Sequence, residues 1–327
     1  MDARSQKPHS HSEWAARILT LFTLIAVCLM ARPVPAQETS ARPPDPPTVK
    51  QITSDLYFFY DYVGANSVFL VTNDGVLVID TREHPRLGQD LIARIRKVTD
   101  KPIRFVINSH FHGDHTFGNP AFKAERATFV AQQETARLMK LVQSKEIARR
   151  SDGLLKDHLD PKEVQLILPD ITFDKEMTIY LGGREIRLFY LGPGQQPGDT
   201  FILFPQERVL VTPGAFARHS MPNMAFTPSV DNWIKLLNQI GSMNDYDVIL
   251  PGHGDVAHRE DVKELAAMLT DEYATVKSAL ETGMTLQQAQ ATLTFPQYKD
   301  WRNYERLKNE IKSLYELIQT GRRSYFE

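Results

Sequence analysis

The stretch Asn108-Ser109-His110-Phe111-His112-Gly113-Asp114-His115 carries four metal-capable side chains within six residues, in the pattern H-x-H-x-D-H. Neutral imidazole and carboxylate groups are the usual donors to a catalytic zinc ion. The apolar run at 103–107 predicts a short buried strand, which places the cluster at the strand's carboxyl end, where open α/β sheets bind ligands. The alternative is a solvated loop with histidines gathered by chance, and the regular spacing favours a metal site.

Other segments on both sides of this motif follow in a familiar order: Asn66–Thr72 and Gly75–Thr81 before it, then Leu191–Gly194, Pro197–Thr200, Arg208–Thr212 and Pro251–Gly254 after it. Together with the motif, they resemble the metallo-β-lactamase superfamily from about Asp55 to His253. The resemblance implies an α/β fold, an αββα four-layer sandwich of two mixed β-sheets flanked by helices. It places the metals at one edge of that sandwich.

The resemblance also implies a set of metal ligands. The positions that match are His110, His112, Asp114, His115 and His253. Two positions depart from the family pattern. Gln195 stands where the family has a histidine, and Gly214 stands where it has the aspartate that bridges two metals.

Divided as in the family, the ligands form one incomplete and one complete site. The first keeps its two histidines but has Gln195 in third place, and an amide oxygen binds zinc less well than imidazole. The second, with Asp114, His115 and His253, is complete and leaves a fourth position open. We therefore expect one well-held Zn²⁺ and a weak or absent second ion, with Fe²⁺ or Mn²⁺ as alternatives because a carboxylate is present. Asp114 would also orient water, which makes it the predicted catalytic residue.

Two further residues are candidates for supporting roles. Asp80 ends an apolar strand near the expected metal edge, and could orient the metal loop or simply cap its own loop. His219 lies five residues after Gly214 and could replace a missing ligand. A surface-loop histidine is the favoured interpretation of His219.

The predicted function is a metal-dependent hydrolase in which metal-bound hydroxide attacks an ester, lactone, thioester or amide, including a β-lactam. Its partner would be a small-molecule substrate. A net charge of −2 gives no nucleic-acid footprint, and the sequence leaves the oligomeric state open. The alternative, favoured by Gln195 and Gly214, is a catalytically weak or inactive accessory protein that binds a metal or ligand on the same fold.

Residues 1–36 combine a positive start, an apolar run of 14 residues and a small-residue ending, which predicts a signal peptide cleaved after Ala36. A spanning helix needs about 20 apolar residues, so we expect a periplasmic or secreted protein that leaves the membrane after cleavage. The lone Cys28 lies in this segment, so the mature chain has no thiolate ligands. The proline-rich residues 37–49 predict a stiff linker, 50–258 the metallo-β-lactamase-like domain, and 259–327 a C-terminal helical extension.

Two segments are predicted to shape the substrate pocket. Lys140–Lys162 is charged, has the texture of a helix and stands between the two halves, where the family often inserts a lid. Phe216–Pro228 contains methionines and turn residues, and would also shape the pocket. The alternative for the first segment is a surface helix. The alternative for the second is a covering loop whose methionines fill gaps in packing. A last helix is predicted from Trp301 to Gly321, where glycine ends it.

Overall fold

Two mixed sheets form the centre of the molecule in the computed structural model, which describes residues 46–321. Within these residues the first sheet has seven strands in sequence order: β1 (Thr48–Gln51), β2 (Leu56–Tyr60), β3 (Ser67–Thr72), β4 (Gly75–Ile79), β5 (Ile103–Asn108), β6 (Thr128–Gln132) and β7 (Ile171–Phe173). Strands β1 to β4 run antiparallel, and β4 to β7 run parallel. Every residue of β4 is buried, as expected for a parallel strand covered on both faces.

The second sheet has five strands in the described residues, in the order β12-β11-β10-β9-β8. Their bounds are β8 (Glu176–Leu181), β9 (Arg184–Phe189), β10 (Phe201–Phe204), β11 (Val209–Ala217) and β12 (Val248–His253). Only β11 and β12 pair in parallel. Because each sheet combines parallel and antiparallel pairs, both sheets are mixed, as predicted.

Helices cover the outer faces of the two sheets. Their bounds are α1 (Pro85–Arg96), α2 (Gly113–Thr116), α3 (Asn119–Ala124), α4 (Gln133–Lys156), α5 (Val230–Ser242), α6 (Arg259–Glu281), α7 (Leu286–Thr292) and α8 (Leu307–Thr320). Local signals set several of these ends. Ser229 caps the first turn of α5 with its side chain, and Thr285 forms a capping box with Gln288 at the start of α7.

Three apolar layers hold the sandwich together. Between the sheets, buried residues of the first sheet such as Leu77 and Ile107 meet those of the second such as Ile202 and Val211. The outer face of the first sheet packs against α1 and α3, and the outer face of the second against α5, α6 and α8. This arrangement confirms the predicted αββα four-layer sandwich.

The extension predicted from residue 259 is helical and begins at α6, whose first residue is Arg259. It packs as part of the outer layer of the second sheet, since Leu265 and Ile311 share one buried cluster with Phe201 of β10. The last helix begins at Leu307 rather than at Trp301, and ends at Gly321 in the left-handed conformation (φ 68°). Residues 301–306 instead form a bridge, a turn and one 3₁₀ turn.

The predicted signal peptide lies outside the described residues, as does most of the predicted linker at 37–49. Strand β1 begins at Thr48, within the last residues of the predicted linker. Helix α4 runs from Gln133 to Lys156, so most of the charged segment Lys140–Lys162 is helical, as its texture predicts. Within residues 46–321, no helix has both the length and the apolarity needed to cross a bilayer.

One carboxyl group is buried in the apolar layer between the C-terminal helices. Glu272 of α6 is fully buried, and both of its carboxyl oxygens lack a hydrogen-bond partner within residues 46–321. Burial, with a smaller contribution from Glu310 of α8, raises the pKa of Glu272 to about 8. The side chain is therefore protonated in the folded protein at neutral pH.

The folded-state pKa of Glu272 lies above its usual value of 4.5. The contribution of this group to the free energy of unfolding is therefore complete below pH 4.5 and is lost as the pH rises toward 8. We predict that Glu272→Gln, which imitates the protonated acid, becomes more stable relative to wild type by up to about 1.4 kcal/mol per pH unit between pH 5 and 8. Denaturant unfolding across this range measures the difference. A constant difference between variant and wild type would contradict the predicted burial effect.

Candidate metal centre

The loop after β5 turns directly into the short helix α2, and this turn arranges the motif. His112 is extended at the start of α2, and Asp114 and His115 follow within its single turn. Gly113 makes the tight entry feasible, since a Cβ at this position would approach the Phe117 ring to 2.5 Å. This turn therefore directs the motif's side chains, which are neighbours in sequence, toward one small region.

Asp80 anchors this loop from the end of β4. Its backbone adopts a left-handed conformation with φ 60°. Its Oδ1 accepts the Ser109 N–H (2.8 Å), and its Oδ2 accepts both the Ser109 hydroxyl (2.6 Å) and the His115 Nδ1–H (2.7 Å). A buried carboxylate with three donors orients the loop, which is the supporting role predicted for this residue.

The hydrogen bonds of two histidines fix where their protons lie. His115 donates through Nδ1 to the Asp80 carboxylate, and His253 donates through Nδ1 to the Gly64 carbonyl (3.1 Å). Burial lowers the pKa of His115, but Asp114 and Asp80 outweigh it and raise that pKa above its usual value. When either ring is neutral, its one N–H is used at Nδ1 and its Nε2 atom presents a lone pair. These two atoms are 3.1 Å apart, and the Asp114 Oδ2 lies 3.2 Å from His253 Nε2 and 3.8 Å from His115 Nε2.

With both rings neutral, three electron-pair donors face one another, and such a group is repulsive unless a proton or a metal ion lies among them. The spacing is what a divalent ion with bonds of about 2.0–2.2 Å to its ligands requires. The residues present fit a metal ion on this ground alone.

His110 and His112 add two more ring nitrogens without a hydrogen-bond partner beside this group. The Ser109 hydroxyl donates to Asp80, so His110 Nδ1–H donates to the Ser109 oxygen (2.9 Å) and leaves the His110 Nε2 lone pair free. The Nε2 atoms of His110 and His112 are both buried without a hydrogen-bond partner among residues 46–321. Burial lowers the pKa of His112 to about 3 and that of His110 well below its usual value, so both rings are neutral.

The two departures from the family pattern contact each other. A Cβ at Gly214 would lie 2.4 Å from the terminal amide of Gln195, so this amide takes the space of a side chain at 214. With its nitrogen toward the Gly214 carbonyl (3.0 Å) and Gln196 Oε1 (2.9 Å), the amide oxygen of Gln195 accepts the Asn223 N–H (3.2 Å). The Gln195 side chain is therefore engaged by neighbouring chain segments.

Helix α4 brings an arginine to the remaining oxygen of Asp114. Arg150 Nη2 donates to Asp114 Oδ1 (2.5 Å), and its other nitrogens bind Glu83 (2.6 Å) and Glu146 (3.3 Å). Burial alone would raise the pKa of Asp114, but Arg150 and the two neighbouring histidines outweigh it and hold that pKa well below its usual range. Asp114 is thus an anion with one oxygen held by Arg150 and the other directed at the histidines.

A second contact that the sequence did not reveal holds the loop of His253. Asn66 Nδ2 donates to the carbonyls of Pro251 and Gly254, both at 2.8 Å. Asn66 was part of a quoted family segment, but its role depends on a partner far along the chain. Arg150 belongs to the charged segment predicted as a lid, and nothing in the spacing of that segment marks this one arginine.

His219 does not join the centre. It is in a left-handed conformation (φ 43°), donates through Nε2 to the Glu264 carboxylate (2.8 Å) and lies against the Trp301 ring at 5.7 Å between centroids. Asp261 is 3.7 Å away, which completes a separate, partly exposed His-Asp-Glu group. The favoured interpretation of His219 as a loop residue agrees with this position.

An open cleft of about 290 Å³ leads to the centre and is lined by His112, Asp114, Gln195, Gly214 and His253. Both segments expected to shape the pocket contribute to its walls. Arg149 and Arg150 come from α4, and Met221 and Phe226 come from the loop after β11. The cleft volume suits a small molecule.

Comparison with known proteins agrees with the fold and the site region. Residues 60–253, more than half of the chain, match the model of the metallo-beta-lactamase superfamily. Among curated proteins, the chain is 24% identical over 233 residues to a linear primary-alkylsulfatase from Pseudomonas sp. (strain ATCC 19151), covering 62% of this chain and 44% of that protein. It is 23% identical over 217 residues to the type 2 metallo-beta-lactamase from Elizabethkingia meningoseptica, covering 63% of this chain and 78% of that protein.

Solved structures show the same fold. A stereoselective inverting sec-alkylsulfatase from Pseudomonas sp. superimposes with a TM-score of 0.70 at 18% identity, over 83% of this chain and 50% of that one. A metallo-beta-lactamase from Pontibacter korlensis gives a TM-score of 0.57 at 17% identity, over 69% of this chain and 99% of that one. The chain thus spans about half the length of the alkylsulfatases it matches. By its matched segment and its sandwich architecture, this chain belongs to the metallo-beta-lactamase superfamily.

Proposed function

We propose that the protein is a metal-dependent hydrolase whose working ion is held by Asp114, His115 and His253. The observation that carries the proposal is the convergence of three lone-pair donors, two of them fixed as acceptors by hydrogen bonds on the far side of their rings. Homologues in the superfamily are hydrolases, which supports the same conclusion at the level of the family. Catalysis by this chain is the part that the proposal adds.

A bound divalent ion would lower the pKa of a coordinated water toward neutrality and polarise the bond to be broken. The residues of the chain supply the rest. Asp114 is held ionised by Arg150, so its free oxygen can orient a water molecule as well as bind the metal. The neutral Nε2 atoms of the buried His110 and of His112, which lines the cleft, offer two further hydrogen-bond acceptors.

The donor set fits Zn²⁺ best, with Fe²⁺ or Mn²⁺ as the alternatives for a His₂-carboxylate group. We propose one well-held ion because the Gln195 amide is engaged by Gly214, Gln196 and Asn223, which leaves His110 and His112 as two ligands without a third. The proposed substrates are small esters, lactones, thioesters or amides, including β-lactams. The names of the alkylsulfatase relatives extend this proposal to sulfate esters.

A second candidate function follows from the same departures. Gln195 and Gly214 stand where the resemblance implies a histidine and a bridging aspartate, and the Gln195 amide takes the space of a side chain at 214. A protein that binds a metal or ligand there without turnover would have the same geometry. The two candidate functions differ in whether the bound molecule is hydrolysed.

We predict that protein purified without added metal contains close to one equivalent of metal and hydrolyses at least one chromogenic ester, lactone, thioester or cephalosporin. A chelator should abolish turnover, and Asp114→Ala should lower it by at least about 10²-fold, since it removes a ligand and the water-orienting carboxylate. Plasma mass spectrometry and steady-state assays provide the measurements. Asp247→Ala, at a distant exposed carboxylate, is the control.

Two tightly bound equivalents would contradict the one-metal proposal. Full metal loading with no turnover of any of these substrate classes, in both single-turnover and steady-state assays, would favour the accessory protein. Turnover that is unchanged by chelation and by Asp114→Ala would place the activity elsewhere.

We also predict that Asp80→Asn weakens metal binding about 10- to 100-fold, although Asp80 itself holds no metal. An amide nitrogen placed opposite His115 Nδ1 cannot accept its proton, so the ring would turn to the other tautomer and aim an N–H at the metal. Competition with a chromophoric chelator measures the affinity. Asp170→Asn, on the surface beside Lys123, should bind metal as wild type does, and equal affinity for both variants would disprove the tautomer argument.

A further inference from the structure

We propose that the substrate carries an oxyanion, such as a carboxylate, sulfate or phosphate group, and that Arg302 binds this group in the cleft with support from Arg306. This inference rests on the proposed hydrolytic function, because it assigns a substrate class to the same cleft. The two arginines lie in the C-terminal extension, after the segment that matches the family. The family resemblance therefore does not supply them.

The wall of the cleft carries more positive than negative side chains. Four arginines line the cleft, from two unrelated parts of the chain: Arg149, Arg150, Arg302 and Arg306. Asp114 is the one carboxylate residue of that lining, and Arg150 already pairs with it. A cleft with this imbalance attracts anions and repels cations.

The four arginines differ in how far their charges are compensated. Arg149 and Arg150 both bind Glu146, and Arg150 has two further carboxylates. Arg302, in contrast, has no carboxylate within 4.0 Å among residues 46–321, and Arg306 has only its neighbour Glu305, at 4.0 Å. The uncompensated positive charge is therefore concentrated at the Arg302 end of the cleft.

The backbone of Arg302 is held in place. Its carbonyl accepts the Met221 N–H (2.8 Å), and its own N–H donates to the His219 carbonyl (2.9 Å). The next residue, Asn303, has φ 62° and donates through Nδ2 to the Ser220 hydroxyl (3.0 Å). These contacts attach the segment before α8 to the loop after β11, so the side chain of Arg302 starts from a fixed position.

The side chain of Arg302 is also partly fixed, yet retains free donors. Its guanidinium lies over the Tyr62 ring at 4.7 Å from the centroid, and Nη2 donates to the Tyr62 carbonyl (2.7 Å). A guanidinium has five N–H donors, and one is used here. The remaining fork is suited to bidentate recognition of an oxyanion, and its restricted motion lowers the entropy cost of binding.

Arg302 shares one cleft with the candidate metal centre. The cleft that contains Arg302 also contains His112, Asp114 and His253. A small substrate could therefore place its scissile bond at the proposed metal and a separate anionic group at Arg302. The C-terminal extension would then select substrates by charge, while the family domain performs the hydrolysis.

The test compares wild type, Arg302→Gln and the control Arg187→Gln, in which an exposed arginine of β9 paired with Glu185 is changed. Two assays are used. The first measures kcat/KM for 4-nitrophenyl pentanoate and for the 4-nitrophenyl monoester of adipic acid, which differ by one carboxylate. The second measures the Kd of inorganic sulfate by calorimetry on protein as purified, and requires no turnover.

We expect the preference for the adipate monoester over the pentanoate ester to fall about tenfold or more in Arg302→Gln, because a charge-assisted contact is lost. The Kd of sulfate should rise by a similar factor, and Arg187→Gln should match wild type in both assays. Melting temperatures verify that the variants are folded. If Arg302→Gln is unfolded, Arg306→Gln provides the same comparison, since the Arg306 side chain is 53% exposed.

The two assays separate failure of this inference from failure of the proposed function. Turnover of both esters with an unchanged preference and an unchanged sulfate Kd in Arg302→Gln would overturn the anion site and leave the hydrolase intact. Sulfate binding that depends on Arg302, without turnover of either ester, would support the anion site and count against the hydrolase. Absence of sulfate binding and of any charge preference in wild type would also overturn the inference.

Discussion

The carboxylate of Asp80 is the constraint on which the site depends. It is buried at the end of β4, in a left-handed backbone conformation, and accepts three hydrogen bonds from Ser109 and His115. These bonds decide which nitrogen of His115 carries the proton and, through the Ser109 hydroxyl, which nitrogen of His110 does. The orientation of these two buried rings is thus set by a residue that belongs to neither of them. A buried charge is costly, and here that cost is offset by the donors it organises.

Sheet topology explains why residues so distant in sequence meet at this carboxylate. Strands β4 and β5 are parallel neighbours in the first sheet, so Asp80 and the His110–His115 loop leave the same edge. Strands β11 and β12 are parallel neighbours in the second, which brings Gly214 and His253 to one end. Face-to-face packing of the sheets joins the two edges, and Asn66 ties them by binding the carbonyls beside His253. The metal centre therefore lies across the sandwich and requires both sheets.

Local spacing was sufficient to predict a metal site at the His110–His115 motif, whereas the sandwich and the grouping of His253 with Asp114 and His115 were predicted from the resemblance to the metallo-β-lactamase superfamily. A supporting role for Asp80 could also be predicted, since a carboxylate at the end of a buried strand needs partners. The roles of Arg150 and Arg302 could not be predicted. The face that a 24-residue charged helix presents to the site depends on its packing, and Arg302 reaches the cleft only because its loop pairs with residues 219–221. Such contacts depend on tertiary structure, and no periodicity or motif in the segment itself encodes them.

Gln195 and Gly214, the two positions interpreted from the sequence as departures from the family pattern, contact each other. The Gln195 amide takes the space in which a side chain at 214 would begin, and binds the Gly214 carbonyl. A Cβ at 214 would lie 2.4 Å from the far end of this flexible side chain, so an aspartate there would require the amide to move. The residues at 195 and 214 are therefore sterically coupled, and the group of Asp114, His115 and His253 forms without a contribution from either.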